Sequence, residues 1–217
     1  AFDSLYTLAG YDFNHVIVDN GSTDGTKEWL KDLKPYGFCK EIRVINNVDN
    51  KGISISSNQA VELIKKEFKS DCILKYDNDA VSMNSDWLKA MVKIYKSNHL
   101  LALSCYIGGL RDNPGGASRI GYGNLCGELI GMTKHVGGIC HFVGSKAYDN
   151  WKWPENEQLH GMQDVEFSQF LLRKGYQMGY LENYTVMHSL GTEGQHKTYP
   201  EYFERRKLEK QTRYEKN

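Results

Sequence analysis

Short apolar, β-branched runs alternate with longer stretches of helical spacing along the first half of the chain. Phe13 to Val18 (FNHVIV) predicts a buried strand that stops at the turn cluster DNGSTDGT, and KEWLKDL then starts a helix with Trp29, Leu30 and Leu33 on one side. Glu41 to Asn46 (EIRVIN) predicts a second strand, and VDNKG a second turn. From about Ile53 to Phe68, residues Ser57, Ala60, Val61, Ile64 and Phe68 fall on one stripe of a helix. CILKY (Cys72 to Tyr76) is a third strand, broken by Asp77-Asn78-Asp79. Ser85 stands where it can cap a helix whose apolar face is Trp87, Leu88, Met91, Val92 and Tyr95, and LLALSCY is a fourth strand. Strands separated by helices of this length predict an α/β domain with a mostly parallel central sheet flanked by helices.

The pattern changes after residue 106. Ten of the 21 glycines lie between Ile107 and Gly138 with little periodicity, which predicts a loop or irregular insert. GYGNLCG (Gly121 to Gly127) within it has the wrong spacing and context for a dinucleotide loop. A strand (ICHFV), a loop carrying Trp151, Trp153 and Pro154, and a helix opening at Asp164 and ending at Gly175 follow. QMGYLE then leads into YTVMHS. The tail from Tyr199 to Asn217 mixes Arg205, Arg206, Lys207, Lys210 and Arg213 with Glu204 and Glu209, a charged helical segment. The division expected is one domain over 1–198, with halves of about 1–106 and 107–198, and a tail over 199–217.

Lys+Arg and Asp+Glu are both 27 in 217 residues, so the net charge is zero. A protein that tracks a phosphate backbone carries a basic excess, so nucleic acid is not the expected partner. No apolar run approaches the ~18 residues of a membrane helix. The five cysteines contain no CxxC pair, which argues against a cysteine zinc site and a disulfide framework and for a reducing compartment. The expected location is the cytoplasm, with the tail offering a weak contact to a membrane surface or partner.

Candidate chemistry gathers where the predicted strands end, which is where open parallel sheets bind ligands. Residues two apart on a strand point the same way, so Asp77 and Asp79 present two carboxylates on one side just where the strand ends, and hard oxygen ligands of that kind suit Mg²⁺ or Mn²⁺ bridging to phosphates. A solvated acidic turn is the other reading. Asp19-Asn20 and Asn50-Lys51-Gly52 close the first two strands, where a carboxylate and an amide can hydrogen-bond a base edge and Gly52 permits close backbone approach. The same residue types are also the ordinary turn formers.

VIVDNGSTDGT, NKGISISSN and the Asp-Asn-Asp triplet, followed by GMQDVEFSQFLLRKGYQMGYLENYTVMH, together resemble a family 2 inverting glycosyltransferase of the GT-A (nucleotide-diphospho-sugar transferase) fold. The resemblance spans roughly Ser4 to Ser189 and implies a role for each matching position. Asp19 contacts the nucleotide base, and Asn50 and Gly52 line the same pocket. Asp77 faces the ribose and metal region with Asn78 beside it. Asp79 and His188 are the metal ligands. Asp164 is the catalytic base, with Glu166 a nearby fallback. The family has Glu-Asp where this chain has Gln163-Asp164, so a neighbouring acid is lost. The family also opens with a strand, whereas AFDSLYTLAG reads as the helix that follows it. Either the strand is cut away or another segment fills its place.

The resemblance implies a metal-dependent inverting transferase that uses Mn²⁺ or Mg²⁺ to move a sugar from a nucleoside-diphosphate sugar, a UDP-sugar first, to a hydroxyl of a carbohydrate, lipid-linked or protein acceptor. The product is a polysaccharide or glycoconjugate. A nucleotidyltransferase and a non-catalytic nucleotide-sugar-binding module are the alternatives. The glycine-rich insert and the loop from Trp151 to His160 are expected to shape the acceptor side.

Overall fold

The computed structural model describes residues 1–110, 115–155 and 163–198, with 200 and 204 besides. Helix α1 (Phe2–Leu8) buries Leu5 and Tyr6 and leads to strand β1 (Phe13–Asp19), helix α2 (Thr26–Asp32), strand β2 (Cys39–Asn46) and helix α3 (Gly52–Leu63). A π-helical turn, Ile64–Phe68, extends α3 and ends at Lys69 in the left-handed region. Strands β3 (Cys72–Tyr76) and β4 (Ala80–Ser82) flank the acidic triplet, and helix α4 (Trp87–Ser97) precedes strand β5 (Leu101–Gly108).

Ser85 does not cap α4. The cap position is Asp86, at φ 63°, and the helix start is satisfied by main chain: Asp86 N–H donates to Leu8 C=O, and Leu88 and Lys89 N–H both donate to Ala9 C=O. Gly10 allows this approach, because a Cβ there would stand 2.4 Å from an Asp86 carboxylate oxygen.

The glycine-rich insert is more regular than its composition predicts. Strands β6 (Gly121–Leu125) and β7 (Glu128–Thr133) pair antiparallel around Cys126 and Gly127, at φ 54° and 87°. Two consecutive positive-φ residues are the signature of a two-residue hairpin whose twist matches its strands. GYGNLCG is therefore half of a hairpin and its turn. Strand β8 (Cys140–Gly144), a 3₁₀ turn (Ser145–Asp149), helix α5 (Gln163–Arg173), strand β9 (Gln177–His188) and helix α6 (Gly191–Thr198) complete the described chain. The tail beyond residue 198, apart from 200 and 204, and the end of the tryptophan loop at 156–160 lie outside the described residues.

The strands form two sheets. β1 and β2 pair in parallel as a two-stranded sheet, and the larger sheet runs β3-β8-β5-β9-β7-β6, with β4 on β9. β5 and β9 are parallel, while β8, β7 and β4 run against their neighbours, so the sheet is mixed, with the shared direction kept by β3, β5 and β9. The main core lies between the larger sheet and α4, around Trp87, Met91, Ile94, Leu103, Phe142 and Tyr180. A second cluster under α5 joins Phe167, Leu171, Tyr148 and Trp153. Trp151 also packs there, 4.9 Å from the Phe170 ring.

Among the described residues no strand joins β1 to β3. Between them is a cavity of about 920 Å³, lined by residues of β1 such as His15 and Ile17, of β3 such as Ile73 and Leu74, and by the predicted α3 stripe of Ser57, Ala60, Val61, Ile64 and Phe68. That stripe is only half-buried because this slot is what it faces.

Candidate active site

Asp19 ends β1 with its side chain 1% exposed, receives the Ser22 N–H at 3.3–3.4 Å and has Lys27 Nζ at 4.0 Å. Next to it, the turns after β1 and β2 are tied by amides. Asn20 Nδ2 donates to Asn50 Oδ1 at 2.8 Å, while Asn20 Oδ1 accepts from Asn47 Nδ2 and from Lys51 N–H, each at 3.1 Å. Gly52 N–H donates to Asn50 Oδ1 at 2.9 Å, with Gly52 at φ 79°, a conformation that glycine adopts without strain. Asn47 and Gln59 exchange two further bonds at 3.0 and 3.1 Å. Two predicted residues, Asn50 and Gly52, are thus part of one amide network with Asn20, Asn47 and Gln59. The last two sit outside the quoted motifs and gave no sequence signal.

The acidic triplet departs from the strand geometry expected of it. β3 stops at Tyr76, and Asp77 C=O accepts from Ala80 N–H at 3.1 Å, so the triplet is a turn between β3 and β4 and the two-residue alternation ends before it. The carboxylates accordingly meet different partners. Asp77 pairs with the Lys75 ammonium, which also donates to Gly138 C=O at 2.7 Å. Asp79 Oδ2 is 3.3 Å from His188 Nε2, where β4 and β9 pair Ala80 with His188. His188 is buried at 8% exposure and Asp79 side chain is 31% exposed, so the pair opens on one side. Among the described residues no third His, Cys, Asp or Glu joins them. Asn78 is exposed at the turn, and Asn78, Asp77, Lys75 and Asn20 all line one end of the slot, which brings the two rims together.

Asp164 lies in the first turn of α5. Its Oδ1 accepts the Val165 N–H at 2.9 Å, and its Oδ2 is 3.4 Å from His135 Nε2. Burial by itself would raise this carboxyl, but the facing His135 ring and the backbone N–H groups of Val165 and Asp164 outweigh it, so the pKa stands below the ordinary carboxylate value. A Cβ on Gly138 would stand 3.6 Å from Lys75 Nζ and 3.8 Å from Asp164 Cβ, so Asp164 and the Lys75–Asp77 pair flank one glycine. His141, opposite Lys75 in the β3–β8 register, is pushed down to about 3, first by burial and then by the Lys75 charge. Glu166 is exposed on the helix surface.

Lys75, His135 and His141 are site residues that the sequence reading missed. Lys75 was within reach, since it lies two positions before Asp77 at the end of a strand. His135 and His141 come from a turn and an antiparallel strand that no motif marks.

The arrangement offers a rim of amides beside a buried carboxylate, a carboxylate–imidazole pair of the kind that suits a divalent cation, and an ionised carboxylate at Asp164. The sequence model of "Glycosyl transferase family 2" matches residues 1–148. No curated protein matches the chain. Among solved structures, it is similar to GalNAc-T7 with UDP, GalNAc and Mn²⁺ (12% identity, TM-score 0.61, 82% of this chain and 38% of that one). It is also similar to the mannosyltransferase PcManGT of Pyrobaculum calidifontis in complex with GDP-Man and Mn²⁺ (16% identity, TM-score 0.61, 90% and 53%). A third is S. aureus TarS 1–349 (18% identity, TM-score 0.58, 85% and 54%). The chain therefore spans between about two fifths and just over half of these neighbours' lengths, and at such identities the likeness is one of fold. With the family match covering most of the chain and the sheet agreeing with it, the chain belongs to glycosyl transferase family 2 and carries the GT-A glycosyltransferase fold.

Proposed function

We propose that this domain transfers a sugar from a nucleoside-diphosphate donor, a UDP-sugar first, to an acceptor hydroxyl with inversion at the anomeric carbon. Asp164 carries the proposal: a carboxylate kept ionised in the first turn of a helix, flanking the same glycine as the Lys75–Asp77 pair. In the reaction it takes the acceptor's proton as the acceptor oxygen attacks the anomeric carbon. The bond from that carbon to the diphosphate breaks, its electron pair leaves with the nucleoside diphosphate, and a single displacement inverts the centre. Asp19 and the Asn20–Asn50 network, with Gly52, hold the base and ribose, and Asp77 and Asn78 border the sugar.

The donor set at Asp79 and His188, one carboxylate oxygen beside one imidazole nitrogen, fits Mn²⁺ or Mg²⁺ with the remaining positions left to phosphate oxygens and water. Such an ion, when bound, supplies charge neutralisation for the departing diphosphate. Two neighbours were solved with Mn²⁺ and with UDP or GDP-Man, which supports both the ion and the donor class. The acceptor is a carbohydrate, lipid-linked or protein hydroxyl. No described helix is long and apolar enough to cross a membrane, and we place the reaction at the cytoplasm or its membrane surface.

The test is a panel of nucleotide sugars scored by thermal shift with and without Mn²⁺, since a ligand that binds only the folded state raises stability by mass action. One donor is expected to stand out, and only with the metal. Its product is then assigned by proton NMR. A retained anomeric configuration overturns the mechanism, and donor binding without turnover on any acceptor supports a non-catalytic module instead.

A further inference from the structure

The turn after β7 reaches into the site, and its function is unaccounted for. Thr133 Oγ1 receives the His135 N–H at 3.3 Å and donates to His135 C=O at 3.2 Å, Ser168 Oγ receives the Val136 N–H at 3.2 Å, and the Tyr180 hydroxyl receives the Gly137 N–H at 3.0 Å. Side chains from β7, α5 and β9 thus hold consecutive residues of one turn. A turn fixed at so many points presents its one functional side chain, the His135 ring, in one place. That place is 3.4 Å from Asp164 Oδ2.

Asp164 has two oxygens to keep still. Val165 N–H holds Oδ1, from the carboxylate's own helix, and His135 Nε2 is the group that faces Oδ2. From this geometry we infer that His135 is the positioning residue for Asp164, its ring fixed against the second carboxylate oxygen. The inference rests on Asp164 being the base.

Other charged groups bear on the pair, so their contributions have to be separated from that of His135. Lys75 from β3, with Asp77 as its partner, lies across Gly138; His141 from β8 is buried nearby; and the Tyr180 phenol on β9 carries the Arg119 guanidinium over its ring, 4.3 Å from the centroid. None of these is altered in a His135 variant.

Removing the ring frees the carboxylate to rotate and removes a group that lowers its pKa. In His135→Ala, kcat is expected to fall by roughly ten- to a hundredfold, the scale of losses from a misplaced reacting group, with the donor KM unchanged. The acid limb of the kcat–pH profile moves to higher pH. His135→Gln, which restores an N–H donor without a titrating ring, recovers most of kcat. A merely structural His135 would lower the melting temperature and leave the acid limb in place, and that outcome overturns the inference. The ring signals of His135, compared by NMR without substrate, give a second reading: they move in Asp164→Asn if the ring rests against the carboxylate, and unmoved signals reject the pairing. If Asp164→Asn itself retains turnover, the reading of Asp164 as base has failed. If Asp164→Asn is inactive while the His135 variants match the wild type in kcat and acid limb, only the pairing has failed.

Discussion

Where β1 and β2 end, the side chains of the rim hold one another: Asn20, Asn47, Asn50, Gln59 and the Gly52 backbone form one network inside a single strand–helix–strand–helix run. Where β3 and β9 end and α5 begins, Asp79 faces His188 and Asp164 faces His135, each from a part of the chain far away in sequence, while Asp77 pairs with nearby Lys75. The first rim is redundant and local, so losing one member leaves the rest in shape. The second draws on parts of the chain that lie far apart in sequence. Loss of a donor-rim residue should therefore be graded, and loss of a residue at the second rim should be close to complete.

The largest effect is expected at Asp79 and His188, the proposed metal ligands. A chelator abolishes turnover and added Mn²⁺ restores it, while Asp79→Ala is inactive at any Mn²⁺ concentration yet keeps its melting temperature, because a partly exposed rim carboxylate carries no core packing. Full activity in excess chelator removes the metal from the mechanism. Asp164→Asn comes next. Asparagine keeps the shape and the helix-start preference, so stability and calorimetric donor affinity hold while turnover drops by a factor of ~10²–10⁴. An active Asp164→Asn protein rules the base out.

Acid tests the two sheets against each other. His141, 2% exposed in the larger sheet, is held neutral with its pKa near 3, below the ordinary 6.5, so the unfolded chain binds the proton more readily. The stability this contributes is complete above about pH 6.5 and is lost as the pH falls towards 3, a loss on the order of 2 kcal/mol by pH 5. His15 in the small sheet is pushed down to about 4 by burial, so its share matches that of His141 down to pH 5 and levels off sooner below it. Urea unfolding of His141→Asn and His15→Asn at pH 7, pH 5 and pH 3.5 measures both, and equal losses at pH 3.5 would erase the distinction. Asp19→Ala, on the redundant rim, weakens donor binding by ~1–3 kcal/mol in calorimetry.

This contrast also explains what could be read from the residues in order. The strand–helix alternation through residue 108, the turns at Asp19, Asn50 and Asp77, and the helix carrying Asp164 were legible because their signals are local: apolar period, turn formers, a glycine stop at Gly175. The β6–β7 hairpin was not, because glycines at 121, 123 and 127 dilute the alternation that marks a strand. The cap of α4 was misread for a related reason, since its hydrogen-bond acceptors are the carbonyls of Leu8 and Ala9, and carbonyls have no sequence identity. His135 and His141 were invisible because register, not motif, delivers them. Asp77 and Asp79 were placed in the wrong geometry, because a strand rule was carried one turn too far.

The slot between β1 and β3 bears on how the molecule comes apart. The small sheet is tied to the larger one without any ladder between β1 and β3; its links run through contacts such as Phe38 N–H to Tyr6 C=O, and Ser4 Oγ to Ser82 N–H through α1. A region joined this way can open as a unit of its own at a free energy well below that of global unfolding. Amide protons of β1 and β2 are accordingly expected to exchange with solvent sooner than those of β5 and β8, whose strands are almost wholly buried. Nucleotide bound across both rims would bridge the two units, slow that exchange, and convert two cooperative units into one.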